Sequence, residues 1–213
     1  LVPFFMMLFF IIMKFKTKQE LFWIGKFGNQ YIKRNNKTNR MLTIGKNLLK
    51  NNVKANSVIE LGANIGSNLD AIKKIYPSAS ILGIEINKKA YKILKNKHAS
   101  INESILDFKI KKKFDLVIIA GVLIHQNPNY LKRIYKSMYS LTKKYIYISE
   151  YFNPEPVTVK YHGNKDRLFK RDFAKELWKL YPKLKLINYG FEWKEDPKLK
   201  NVSDNSNWFL FKK

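Results

Sequence analysis

The segment VIELGANIGSNL, residues 58–69, constrains this chain most. An apolar run ends on Glu60, turns through Gly62 and Gly66 with Asn64 between them, and opens a helix-compatible stretch. In α/β chains ligands sit outside the carboxyl ends of strands, so this turn is the first candidate for a binding loop. A dinucleotide fingerprint G-x-G-x-x-G fails here, because its second and third glycines are replaced by Asn64 and Ser67. A P-loop fails too, since Gly66 is followed by Ser67 and Asn68 rather than Lys and Ser/Thr. What remains is acid-x-Gly-x-Asn-x-Gly, in which Asn64 can take a left-handed backbone conformation.

The rest of the chain repeats the rhythm. SVIEL, SILGIEI, ESILDF, FDLVIIAGV and KKYIYISEY are short β-rich runs with helical segments between most of them, and LKLINYGFEW and NWFLFKK close the series. Near-continuous apolar strands alternating with helices imply an α/β fold, doubly wound around a mostly parallel seven-stranded sheet. FNPEPVTVKYHGNKDRLFKRDF reads as a long connection before a helix over 171–180. Upstream, Thr17 and Glu20 form a capping-box pattern that starts a helix, and a second helix is expected over 41–51. Trp23, Phe27 and Tyr31 share one helical face, which suits either packing on the domain body or a lid over a ligand.

Three sections follow: an apolar extension over 1–12, a helical segment over 13–56, and a binding domain over 57–213. The extension, LVPFFMMLFFII, is too short to span a bilayer and is expected to be translated upstream sequence or a mis-set start, with a short interfacial anchor as the alternative.

Lys+Arg of 41 against Asp+Glu of 16 gives a net charge of +25, which raises nucleic acid as a partner. Arg34, Arg40, Arg133, Arg167 and Arg171 are the only arginines, and the lysines are scattered in company with Asn and Ile, as an A/T-rich coding bias produces. The cluster at 109–113 reads as a solvated turn. The absence of cysteine excludes disulfides, thiolate metal sites and a Cys nucleophile, and cytoplasm is the expected compartment.

Glu85 closes the strand after the glycine turn, close to the spacing of about 20 residues at which an acid reaches ribose hydroxyls. The pairing of Glu60-x-Gly62-x-Asn64-x-Gly66 with Glu85 resembles the S-adenosylmethionine site of class I methyltransferases. That resemblance implies that Glu60, Gly62, Asn64 and Gly66 line the cofactor's methionine, Glu85 holds the ribose and Ile86 flanks the adenine. It further implies that Asp107 meets the adenine amino group, and that Ala120, Gly121 and His125 lie beside the sulfonium.

A closer likeness rests on FWIGKFGNQYIKRN, ELGANIGSNL, GIEIN, GVLIHQNP, SEYFNPEPV, GNKDRLFKRDFA and the Trp208-Phe209-Leu210 ending. These resemble the methylases associated with pseudaminic acid biosynthesis, from Met13 onward, with Lys26 standing where that family usually has an acid. The resemblance implies an acidic sugar or sugar nucleotide as substrate. His125 and Glu150 are the candidate general bases, the former equally suited to a structural bond in the HQNP turn. Arg167, Lys170 and Arg171, with Tyr151 and Asn153, are the candidate substrate residues, the cations suited to a carboxylate or phosphate. Two other readings stay open: an RNA methyltransferase, and a non-catalytic adenosine-binding protein of the same fold.

Overall fold

A computed structural model describes residues 16–34, 40–199 and 205–213; the apolar extension over 1–12 lies outside the described residues. The first helices are α1 (Lys18–Ile24), α2 (Lys26–Arg34) and α3 (Lys46–Lys50), the last running on from a π-helical turn at Met41–Gly45. Then come β1 (Ser57–Leu61), α4 (Ser67–Ile75), β2 (Ser80–Ile84), α5 (Lys88–Leu94), β3 (Ala99–Ile101) and β4 (Phe114–Ala120). The chain ends with α6 (Leu131–Leu141), β5 (Thr142–Glu150), β6 (Val157–Tyr161), β7 (Asn164–Lys170), α7 (Phe173–Leu180), β8 (Lys185–Glu192) and β9 (Ser206–Lys212).

Seven strands form one sheet in the order β3-β2-β1-β4-β5-β9-β8. β1 pairs in parallel with both β2 and β4, and only β9 runs antiparallel between β5 and β8. Alternate side chains explain the double winding. Ile59, Leu61, Val117 and Ile119 pack with α6 and α7 through Ile134, Met138 and Leu177, whereas Val58, Leu116 and Ile118 pack on the other face with Ile44, Leu48 and Ile72. Strands buried on both faces must be apolar at nearly every position, which is why β1 and β4 read as continuous runs. Among the described residues, no helix is long and apolar enough to cross a membrane.

Two local expectations are corrected. ESILDF is not a strand: the third strand is the short β3 just before it, and ESILDF is a turn in which the Ser104 carbonyl accepts the Asp107 and Phe108 amides, both at 3.0 Å. Its apolar residues Ile105, Leu106 and Phe108 reach the core from that turn, so they carry burial without β pairing. The long connection after β5 also holds an antiparallel hairpin, β6–β7. Its tip is His162-Gly163, with φ of 45° and 80°, the paired left-handed conformation that matches the twist of a hairpin.

The capping box is present as expected, with the Thr17 hydroxyl accepting the Glu20 amide at 3.1 Å and the Glu20 carboxylate accepting the Thr17 amide at 2.8 Å. Gly25 is extended and divides α1 from α2. Trp23 nonetheless meets Phe27 and Tyr31 edge to face, at centroid distances of 5.6 and 5.1 Å.

Candidate active site

The turn after β1 is built from left-handed residues: Gly62, Asn64 and Gly66 have φ of 80°, 49° and 84°. Gly62 is required twice over, since a Cβ there would also lie 2.6 Å from Val122 Cγ2. The turn is fastened to the end of β2, where the Ile84 carbonyl accepts the amides of Gly62 and Ala63, each at 2.9 Å. Glu85 completes the joint: one carboxylate oxygen accepts the Asn64 amide at 2.7 Å and the other the Asn87 amide at 2.6 Å. Asn102 holds the following backbone, donating to the carbonyls of Glu85 at 2.8 Å and Ile86 at 3.1 Å.

Glu60 and Glu85 are both buried, and burial pushes each carboxyl up to about 7. Opposing that rise are the Asn68 amide group at Glu60 and the backbone amides at Glu85. Asn68 Nδ2 donates to Glu60 Oε1 at 2.6 Å, and Glu60 Oε2 is buried with no partner among the described residues.

Above these residues opens a pocket with an empty volume of about 1020 Å³, counting its mouth. Of the expected cofactor residues, Glu60, Gly62 and Asn64 line it from β1 and its turn, Glu85 and Ile86 from beyond β2, and Ala120 and Gly121 from the end of β4. Gly66 stands one step behind, capping α4. Asp107 does not line the pocket; it turns outward to Lys16 and to Arg133, whose Nη2 is 3.3 Å away. From the same turn it is Ser104 and Ile105 that face the pocket, and the Ser104 hydroxyl donates to the Glu20 carboxylate.

The other wall comes from the N-terminal segment: Glu20, Trp23, Gly28, Tyr31 and Arg40. Asn87 Nδ2 ties this wall to the sheet by donating to the Trp23 carbonyl at 2.8 Å. Arg40 was not a candidate in the sequence, where it is one basic residue among many. In the fold its Nε is buried without a partner among the described residues, as is Asn64 Oδ1.

His125 also lines the pocket, from a 3-10 turn over Leu123–His125. Its Nδ1 lies 2.6 Å from the Arg167 carbonyl, which can only accept, so Nδ1 carries the proton and Nε2 is left as an acceptor. Burial holds the imidazole down to about 4, against the pull of that carbonyl, so the ring is uncharged at neutral pH. Trp23 and Tyr161 flank it, with centroids at 4.7 and 4.8 Å.

Glu150 lies outside the pocket lining. Its Oε1 accepts the amides of Val122 and Leu123, both at 2.9 Å, and Oε2 accepts that of Ile124 at 3.4 Å. The carboxylate therefore shapes the turn that carries His125, and burial pushes it up to about 7 despite those three amides.

None of the expected substrate residues lines the pocket. The Arg167 guanidinium lies 5.3 Å from the Phe22 ring centroid and donates from Nη1 to the Asp166 carbonyl at 2.8 Å. Lys170 sits 5.5 Å over the Tyr151 ring, and Arg171 pairs with Glu176 at 2.6 Å. Asn153 bonds the Glu155 carbonyl at 2.6 Å. Tyr151 and Arg171 instead edge a separate small hollow of about 180 Å³ beside Phe173 and Phe209.

No family model matches the chain, and no curated protein matches it. Solved structures do. A Burkholderia thailandensis 1,6-didemethyltoxoflavin-N1-methyltransferase, solved with 1,6-didemethyltoxoflavin and S-adenosylhomocysteine, superposes with a TM-score of 0.69 at 10% identity, over 91% of this chain and 86% of that one. The magnesium protoporphyrin IX methyltransferase of Synechocystis, solved with its cofactor S-adenosylmethionine, gives 0.65 at 12% identity, over 92% and 98%. A Clostridium acetobutylicum S-adenosylmethionine-dependent methyltransferase gives 0.62 at 12% identity, over 88% and 97%. At these identities the likeness is one of fold: the chain has the Rossmann-like fold of these methyltransferases.

Proposed function

We propose that this protein is an S-adenosylmethionine-dependent methyltransferase whose substrate is a small, sugar-linked molecule. The observation that carries the reading is a set of buried polar atoms left without partners among the described residues around one pocket: Glu60 Oε2, Asn64 Oδ1 and Arg40 Nε. Folded proteins leave few such atoms, and together these offer two acceptors and one cationic donor. An amino-acid zwitterion fits them, its ammonium donating to Glu60 and Asn64 and its carboxylate accepting from Arg40. Glu85, at the end of the adjacent strand, would take ribose hydroxyls, and Ile86 and Ile105 would hold the adenine between apolar side chains.

When bound, S-adenosylmethionine supplies an electrophilic methyl group. The chain's own part is to bury that methyl under Trp23 and Tyr31, hold an acceptor in line with it, and present His125 Nε2 as a hydrogen-bond acceptor. Support also comes from the neighbours of the same fold solved with this cofactor or its demethylated product. The sugar-linked substrate rests on the sequence resemblance to the pseudaminic acid-associated methylases. The expected cationic clamp for an acidic sugar does not reach the pocket, so Arg40 is the one cation in its lining among the described residues.

Calorimetric titration with S-adenosylmethionine tests the reading. Charge-assisted hydrogen bonds contribute about 1.5–3 kcal/mol, so Arg40→Ala and Glu60→Gln are each expected to weaken binding about 10- to 100-fold. Unchanged affinity in both variants would show that the orphan atoms serve something else.

A further inference from the structure

We propose that the atom methylated by this enzyme is the uncharged nitrogen of an amine carried on a ring, with no acid group beside it. This deepens the methyltransferase reading and rests on it. Three observations converge on the end of the pocket formed by Gly121, Val122, His125 and Gln126 beneath Trp23 and Tyr31.

The first is the absence of a usable base there among the described residues. A hydroxyl attacking a methyl group must give up its proton during the reaction, which requires a positioned acceptor of matching basicity. His125 is the one imidazole in the lining, and its Nδ1 is bonded to a backbone carbonyl and not to a carboxylate that would strengthen it as a base. Burial lowers its basicity further, to about 4. Glu150, the other candidate, is held by three amides outside the pocket.

The remaining carboxyls of the lining are engaged elsewhere. Glu20 accepts from Ser104, from the Thr17 hydroxyl and from the backbone of Lys16 and Thr17. Glu85 holds the amides of Asn64 and Asn87. Glu60 receives Asn68 on one oxygen, and its other oxygen is assigned above to the cofactor's ammonium.

The second observation is charge. Among the described residues Arg40 is the one cation lining the pocket and is assigned to the cofactor's carboxylate, while Arg167, Lys170 and Arg171 are held outside. An acidic group at the acceptor end would lose its hydration with no cation to replace it, at a large cost. The third is the wall itself. Trp23, Tyr31 and His125 present rings, which suit the flat face of a cyclic compound and tolerate an amine far better than an anion.

A neutral amine needs no base before it attacks. Its nitrogen lone pair forms the N–CH₃ bond as the methyl–sulfur bond breaks, and that electron pair stays on sulfur as the thioether. The product is an N-methylammonium that then releases one proton to water. His125 Nε2, left as an acceptor by the bond at Nδ1, accepts an N–H of the incoming amine and turns its lone pair toward the methyl group.

The test is labelled methyl transfer from S-adenosylmethionine to glucosamine and galactosamine, compared with their N-acetyl counterparts. Cofactor binding, and binding of each probe to the S-adenosylhomocysteine complex, are followed by calorimetry. Acetylation removes the nucleophilic lone pair and keeps every hydroxyl. Label is expected in a free-amine probe, recovered by mass spectrometry as an N-methyl sugar, at least about 100-fold above its N-acetyl counterpart, the scale of a missing general base. The rate should rise with pH along the amine's own titration, and His125→Gln should lower that profile without displacing it along the pH axis. Label on a hydroxyl of the N-acetyl probes overturns the amine assignment, as does no label in either amine while the cofactor binds. Failure to bind the cofactor at all overturns the methyltransferase reading instead.

Discussion

His125 donates from Nδ1 to the backbone carbonyl of Arg167 at 2.6 Å, joining the turn after β4 to a strand of the hairpin that follows β5. The bond sets the tautomer of the ring at the pocket and anchors the hairpin in one step. Gln19 reinforces the joint from the N-terminal segment by donating to the Asp166 carbonyl at 3.0 Å. Replacing His125 by Leu leaves that Arg167 carbonyl without its donor. It is expected to destabilise the fold by about 1–3 kcal/mol, read as a lower Tm by thermal denaturation.

The buried ionisable groups give the cofactor-free protein a defined pH response. Burial raises Glu60, Glu85 and Glu150 to about 7, so the stability linked to their protonation is present at low pH and is lost as pH climbs through that value. His125 has the opposite sign: lowered from 6.5 to about 4, it costs stability as pH falls through that window. Above pH 6.5 the His125 contribution is complete while that of the three carboxyls is not, so Tm is expected to fall between pH 6.5 and about 8. Glu60→Gln should shrink the fall. A Tm that is flat or rising there would contradict the burial of these carboxyls.

On the proposed reading Glu150 positions the turn that carries His125. Glu150→Ala strips the amides of Val122, Leu123 and Ile124 of their acceptor and frees the turn that carries His125. Cofactor affinity should change by less than about threefold, while methyl transfer falls by about 10- to 100-fold through misplacement of the acceptor wall. Equal losses in binding and transfer would argue against this division of roles.

At Gly62, a side chain meets both a φ of 80° and the Val122 side chain 2.6 Å from the new Cβ. Gly62→Ala should cost about 1–3 kcal/mol of stability and weaken cofactor binding, checked by thermal denaturation and calorimetry. Full stability in this variant would mean that the turn relaxes more freely than its packing suggests.

The parts legible in the sequence were those governed by local pattern. β1 and β4 are buried on both faces and so had to be apolar throughout, and Gly62, Asn64 and Gly66 mark left-handed positions that few residues tolerate. Thr17 and Glu20 announced a helix start, because a capping box is satisfied within one turn. The hairpin β6–β7 was hidden by Pro154 and Pro156 before it and by the lysines on its strands, which resemble a solvated loop.

Which residue of a turn faces the pocket depends on tertiary docking. Ser104 and Ile105 look inward and Asp107 outward for that reason, and no local period distinguishes them. Arg40 is a pocket residue only because the N-terminal segment folds back over β1, a contact set by distant packing. The cations of the expected clamp failed to converge because the hairpin and α7 give Lys170 and Arg171 nearer partners, Tyr151 and Glu176.

A crystal structure of the protein with S-adenosylhomocysteine decides whether the pocket holds the cofactor as proposed. The ligand's ammonium is expected within hydrogen-bonding distance of Glu60 and Asn64, its carboxylate on Arg40, its ribose on Glu85, and its sulfur directed toward Gly121 and His125. Ligand density elsewhere, or Glu60 and Arg40 left unpartnered with the ligand in place, would contradict it.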